Sequence, residues 1–270
     1  MTDDAPDDDS PDPTPPPPNT LDVAPRIELR VPGPWRSANE LHDALAEAQT
    51  GFALLDEETL VYVNKKGKER RFHWGVSEPD DEIADIFADT GRPSPKEVEA
   101  IRGHACKIHV EGPGGSVPAA KAMMRVGTAL LKAGGLGVMV DSSTAAHGPR
   151  DWMKLANDKE PGGLYWAYVT AARGPQNAVY SVGMHCLGFR DAELIDEPDL
   201  DWAGFMLHNF LGYTYQSGVP VLDGDPLGDE RSVLYRARHY PCHRFEPGSP
   251  FYNPYGVWRL ERVGPDESGT

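Results

Sequence analysis

The chain has 270 residues, 39% of them hydrophobic, with 42 Asp and Glu against 26 Lys and Arg for a formal charge of −16. That charge disfavours phosphate backbones and anionic lipid surfaces, and no run of about 18 uncharged apolar residues offers a membrane span. Three scattered cysteines, Cys106, Cys186 and Cys242, cannot build a disulfide framework and point to a reducing compartment.

Residues 1–25 carry seven of the acids, no Lys or Arg, and the run Pro15–Pro18, so they have nothing to bury and read as a disordered, solubilising tail. The acidic start has neither the basic residues nor the apolar stretch of an export signal, so the expected location is cytoplasmic. A globular α+β domain is expected over 26–265, divisible into subdomains at 26–100 and 101–265.

Arg26–Val31 alternates as a half-buried strand. Ser37 and Glu40 then open a capped helix whose apolar positions are Leu41, Ala44, Leu45 and Ala48, and Gly51 stops it. Strands follow at Phe52–Leu55, Thr59–Asn64 and Arg70–Gly75, with a second capped helix over 95–104. Next come a strand at Cys106–Val110, a glycine loop to Ser116, a helix over Pro118–Ala133 and a strand at Leu136–Val140. Laying Val31-Pro-Gly-Pro over Val110-Glu-Gly-Pro places Ser37 on Ser116 and, with a longer loop allowed, Leu54–Asp56 on Met139–Asp141, which suggests a repeated β-α-β element.

Further along, a short helix is expected near 149–157, and strands at Tyr165–Ala171 and Ala178–Cys186 joined by a turn at Arg173–Asn177. An apolar helix from Asp201 to Tyr213 and strands at Val233–His239 and Val257–Val263 complete the pattern. Its apolar residues cover most of that helix, which therefore belongs in the core or under a partner. The architecture expected is a mixed or antiparallel sheet with helices on one face, specifically a duplicated ferredoxin-like sandwich.

The segment Tyr180–Leu194, with Gly183, Leu187, Gly188, Phe189 and the pair Glu193-Leu194, followed by Asp223-Gly224-Asp225 in Val221–Gly228, resembles the bacterial domain-of-unknown-function family 4261. The resemblance covers roughly residues 100–260. It implies a shared domain fold and no particular activity.

The loop Gly112–Ser116 has neither the lysine nor the spacing of a phosphate loop and reads as a tight turn. No Cys-x-x-Cys knuckle accompanies the histidines, no cysteine sits in a nucleophile signature, and no cofactor is indicated. The leading expectation is a non-enzymatic binding or regulatory protein, immunity- or accessory-type, that masks a basic protein partner. Its contact residues would be Trp202, Phe205 and Tyr213 of the aromatic helix and Trp258 of the C-terminal aromatic stretch. Arg236 and Arg238, on one strand face, would meet an acidic surface. The alternative is a hydrolase or metal enzyme using His239, Cys242 and His243 with Asp223 or Asp225.

Overall fold

A computed structural model describes residues 24–90, 92–229 and 232–263; the acidic tail assigned to 1–25 lies almost wholly outside the described residues. The first half runs β1 (Arg26–Gly33), α1 (Ala38–Ala48), β2 (Phe52–Leu54), β3 (Thr59–Val63), β4 (Glu69–Ser77), α2 (Ile83–Asp89), α3 (Pro95–Arg102), β5 (Cys106–Pro113), α4 (Val117–Lys132), β6 (Val138–Val140) and β7 (Ala145–His147). Its strands form one antiparallel sheet in the order β2-β3-β4-β5-β1-β6-β7.

Local chemistry starts each helix where the sequence places it. Ser37 accepts a hydrogen bond from the Glu40 amide at the head of α1, Ser116 does the same for Ala119 in α4, and Ser94 and Glu97 close a full capping box on α3. The aligned serines thus play the same part twice. Within the sheet, α4 leads from β5 to β6 across β1, a split β-α-β unit of the ferredoxin-like kind, whereas α1 leads from β1 to β2 at the far edge and the β2-β3-β4 meander returns to β5. By chain order β2 follows α1 as β6 follows α4, in line with the Leu54–Asp56 alignment, but three strands part β2 from β1 and one parts β6 from β5.

The second half runs α5 (Pro149–Ala156), α6 (Gly162–Tyr168), β8 (Thr170–Gly174), β9 (Ala178–Val182), α7 (Met184–Leu187), β10 (Asp191–Leu194), α8 (Leu200–Gln216), β11 (Pro226–Asp229), β12 (Ser232–Tyr240) and β13 (Val257–Arg262). Its sheet, ordered β11-β12-β13-β10-β9-β8, is antiparallel except where β10 runs parallel to β13. This order does not repeat the first, so the α+β class stands while the duplicated sandwich is not confirmed. Nor do the helices keep to one face: α1 and α4 cover one side of the first sheet, and α2 and α3 pack on the other against Met139 and Ala146.

Two segments differ from their expected form. Tyr165–Tyr168 is helical because Tyr165, Ala167 and Tyr168 all bury against the core, a tertiary gain that overrides the strand preference of aromatic residues. The strand at 178 stops at Val182, because Gly183 takes φ 107° and a Cβ there would sit 2.0 Å from the Tyr168 carbonyl oxygen. The turn between β8 and β9 forms as expected, with Gln176 and Asn177 both left-handed. Among the described residues no helix is long and apolar enough to cross a membrane.

The core centres on α4, which buries Ala120, Met123, Val126 and Leu130 together with Ala122, Met124, Gly127 and Ala129. These positions face both the first sheet and the second half, where Tyr168 donates its hydroxyl hydrogen bond to the Ala120 carbonyl at 2.9 Å. Trp152 of α5, fully buried, packs so close that a Cβ on Gly127 would stand 2.7 Å from its ring. Replacing Gly127 with Val is expected to lower stability by about 2 kcal/mol through overpacking, read as a lowered thermal midpoint. An unchanged midpoint would mean that the Trp152 ring can move aside.

Candidate functional site

The C-terminal residues proposed for hydrolysis are held apart by their own hydrogen bonds. Asp223 accepts from the His239 amide at 2.8 Å and from Arg238 at 3.2 Å, and Asp225 accepts from the Leu222 amide at 2.7 Å. The His239 ring faces the Tyr255 carbonyl, the Cys242 thiol faces that of Phe245, and His243 turns to Glu193 at 3.4 Å. Spacing brought these residues near one another in sequence, but the bend after β12 points their side chains at three different neighbours.

Glu193 organises that region. It is fully buried on β10, and its two oxygens are each taken by one guanidinium: Arg259 Nε and Nη2 at 2.9 and 2.8 Å, Arg244 Nε and Nη2 at 3.0 and 2.8 Å. Two bidentate arginines satisfy a buried carboxylate and leave it no lone pair for chemistry. The arginines in turn lie over the Tyr240 and Tyr180 rings.

Of the expected contact residues, the structure separates two sets. Trp258 is only 6% exposed, packed beside His239 and under Arg190, so its area is spent inside the chain. Arg236 donates to the Gly224 carbonyl and Arg238 pairs with Asp223, so the aligned arginines tie down their own hairpin. Trp202, Phe205 and Tyr213 are instead 40%, 58% and 52% exposed. With Asn209 they line the outer face of α8, while Ala203, Leu207, Phe210, Leu211 and Tyr215 fill the inner one. The Trp202 and Phe205 rings lie 5.6 Å apart, and half-exposed Trp166 continues the patch beside His208. Exposed Asp196, Asp199 and Asp201 stand at the head of the helix.

A second constellation was not anticipated. In β1 the residues alternating with buried Ile27, Leu29 and Val31 are Arg26, Glu28 and Arg30; in β5 those alternating with Ile108 and Val110 are Lys107, His109 and Glu111. Being on the face opposite α4, they form a polar stripe across the sheet. Ser77 of β4 lies 2.7 Å from His109 Nε2, Glu28 lies 3.6 Å from His109 Nδ1, and Arg30 donates to Asp141 at 2.6 Å just past β6. Lys107 pairs with Asp80, and Arg26 with Glu111. The His109 ring holds the Glu28 carboxyl below its usual range, whereas burial pushes Asp141 up against the pull of Arg30. Beside the stripe opens a cleft of about 260 Å³ lined by Glu28, Glu111, Ser142, His185 and Tyr252. The only sequence signal was strand alternation, which marks such positions as solvated unless pairing across strands is known.

The loop Gly112–Ser116 is a turn, as expected. The amides of Gly114 and Gly115 are bonded to the carbonyls of Pro25 and Cys186, leaving no nest for an anion. Cys106 and Cys186 are buried, and burial pushes the Cys186 thiol far up, out of range for a nucleophile.

No family model, no curated protein and no solved structure matches the chain. Its function must therefore be argued from these surfaces.

Removing Glu193 would leave Arg244 and Arg259 facing each other without a counter-charge. Glu193→Ala is expected to cost roughly 3 kcal/mol, the low end for a broken buried pair because both arginines keep some solvent, and chemical denaturation reads it directly. A loss below about 1 kcal/mol would show that the clamp is incidental.

Two other buried groups oppose one another in pH. Burial lowers His185 to about 4, so its contribution is complete above its ordinary value near 6.5 and is lost as pH falls toward 4. Burial raises Asp191 to about 6, so its contribution is complete below about 3.8 and is lost as pH rises through 6. Each spans on the order of 3 kcal/mol. Unfolding measured from pH 4 to 6.5 should therefore tilt toward acid in His185→Gln and toward neutrality in Asp191→Asn, with the unsubstituted chain between them. Parallel slopes in all three proteins would refute the assignment.

Proposed function

We propose that the chain is a non-enzymatic binding or regulatory protein that docks a protein partner on the outer face of α8. The observation that carries this reading is the row of Trp202, Phe205 and Tyr213, exposed along a helix whose opposite side is already committed to the core. Large aromatics contribute most to affinity when a partner covers them, and contiguous apolar surface of this kind is uncommon without one.

Charge narrows the partner. Asp196, Asp199 and Asp201 rim the N-terminal end of the face, and the whole chain is acidic, so a basic protein with an apolar anchor strip fits best. Such a chain would act by masking its target, as an immunity or accessory protein does. The hydrolase reading has less to stand on, since His239, Cys242 and His243 do not converge and Glu193 is fully engaged by arginine. The resemblance to family 4261 adds no activity to choose between them.

The test compares the full chain with a Phe205→Ser/Tyr213→Ser double variant. Surface changes of this kind should leave the melting temperature within about 1 kcal/mol equivalent of the original. A basic protein held at equal stoichiometry by the full chain should bind the variant roughly 30-fold or more weakly, the loss of one aromatic anchor or more. Equal retention by both proteins would sink the proposal, as would light scattering that shows the face occupied by a second copy of the chain.

A further inference from the structure

The polar stripe carries an inference independent of α8. Glu28, His109 and Asp141 each bring one ligand atom within 4.8 Å of the others, and among the described residues no other three His, Cys, Asp or Glu side chains do so. Two neighbouring strands and the residue after a third supply the set: β1 gives Glu28, β5 gives His109, and Asp141 follows β6 with its amide bonded to the Glu28 carbonyl.

The hydrogen bonds around this set leave acceptors facing inward. When Ser77 accepts from His109 Nε2–H at 2.7 Å, Nδ1 presents a lone pair to the Glu28 carboxylate 3.6 Å away. In that tautomer the two acceptors face each other across a gap that a cation can bridge, and in the other Nδ1–H donates to Glu28 directly. Asp141 is only 8% exposed, and its Oδ1 is buried with no hydrogen-bond partner, although Oδ2 is taken by Arg30. Ser77 and Arg30 thus act as the outer groups that orient a metal ligand, each gripping the far side of a side chain whose near side is open.

We propose that Glu28, His109 and Asp141 bind one divalent transition-metal ion. An imidazole nitrogen beside two carboxylates suits zinc, manganese or ferrous iron better than magnesium or calcium, which prefer oxygen alone. Bonds of about 2.1 Å put tetrahedral ligands about 3.4 Å apart, so the observed spacing of up to 4.8 Å closes by side-chain rotation. Three protein ligands leave positions for water or for a ligand entering from the adjoining cleft, where Glu28 is a shared wall. Arg30 offsets one of the two carboxylate charges and so moderates affinity.

The experiment uses the full chain, cleared of metal with a chelator and titrated separately with zinc and manganese chlorides by calorimetry. The expected result is one equivalent bound, weakened at least 10-fold in His109→Gln and in Asp141→Asn. Ser77→Ala should weaken binding by roughly 10-fold while retaining stoichiometry, as loss of an orienting group does. Glu261→Gln, an acid on β13 of the second sheet outside both the set and the cleft, should bind as the parent does. The His109 ring nitrogen resonances should shift on zinc addition, which ions held by the acidic tail would not cause. Glu28→Gln repeats the test should either first variant lose its fold. No binding of either metal, or an affinity in the three ligand variants equal to the parent's, would overturn the proposal and leave His109 as a structural partner of Glu28 and Ser77.

Discussion

The double-sided burial of α4 is the constraint on which the rest of the molecule depends. Its small residues admit the Trp152 ring at Gly127 on one side, while Met123, Val126 and Leu130 join Ile27, Leu29 and Val110 in the same core. A helix buried on both sides joins two sheets of unlike topology into one continuous core. It also fixes which face of the first sheet is dry. Once Ile27, Leu29, Ile108 and Val110 point to α4, strand alternation sends Glu28, Arg30, His109 and Glu111 to the other face with no further choice. The polar stripe is thus a consequence of the core, and a register slip of one residue would bury it.

The second half solves a different problem. Its sheet must hold a parallel pair, β10 and β13, with Glu193 in the middle of it. A carboxylate there is tolerable only because Arg259 arrives from the paired strand and Arg244 from the segment after β12, each with two hydrogen bonds. The same requirement explains why the histidines and thiol of that segment do not assemble a site: its backbone course is set by delivering Arg244 and Asn253, the latter bonded to buried Asp191 at 2.6 Å. Residues near in sequence were recruited to separate structural tasks.

What could be read from the sequence follows the range of the interactions. Caps are local, so Ser37, Ser94 and Ser116 announce their helices, and alternation announces β1 and β5. The matched turns before Ser37 and Ser116 each open a capped helix, but where the strand after each helix pairs depends on the strands that insert between, which no local pattern records. Tyr165–Tyr168 misled for the converse reason, since its aromatic residues favour a strand until burial decides otherwise. Trp202, Phe205 and Tyr213 could be named from composition, whereas Trp258 could not be told from them, because an exposed and a buried aromatic look alike until packing is known.

That Ser77, Glu28, His109 and Asp141 converge was illegible for a deeper reason. They lie 32 to 113 residues apart, and none carries within its own segment the spacing that marks a complete ligand motif. Only the antiparallel registers, Arg30 opposite His109 and Leu29 opposite Val140, bring them side by side. Such sites arise where a sheet face is left polar by the burial of its opposite side, so the chemistry to look for in chains of this kind lies across strands rather than along them. Here the buried oxygen of Asp141, to which no group of the chain donates, distinguishes the stripe from a merely exposed polar face.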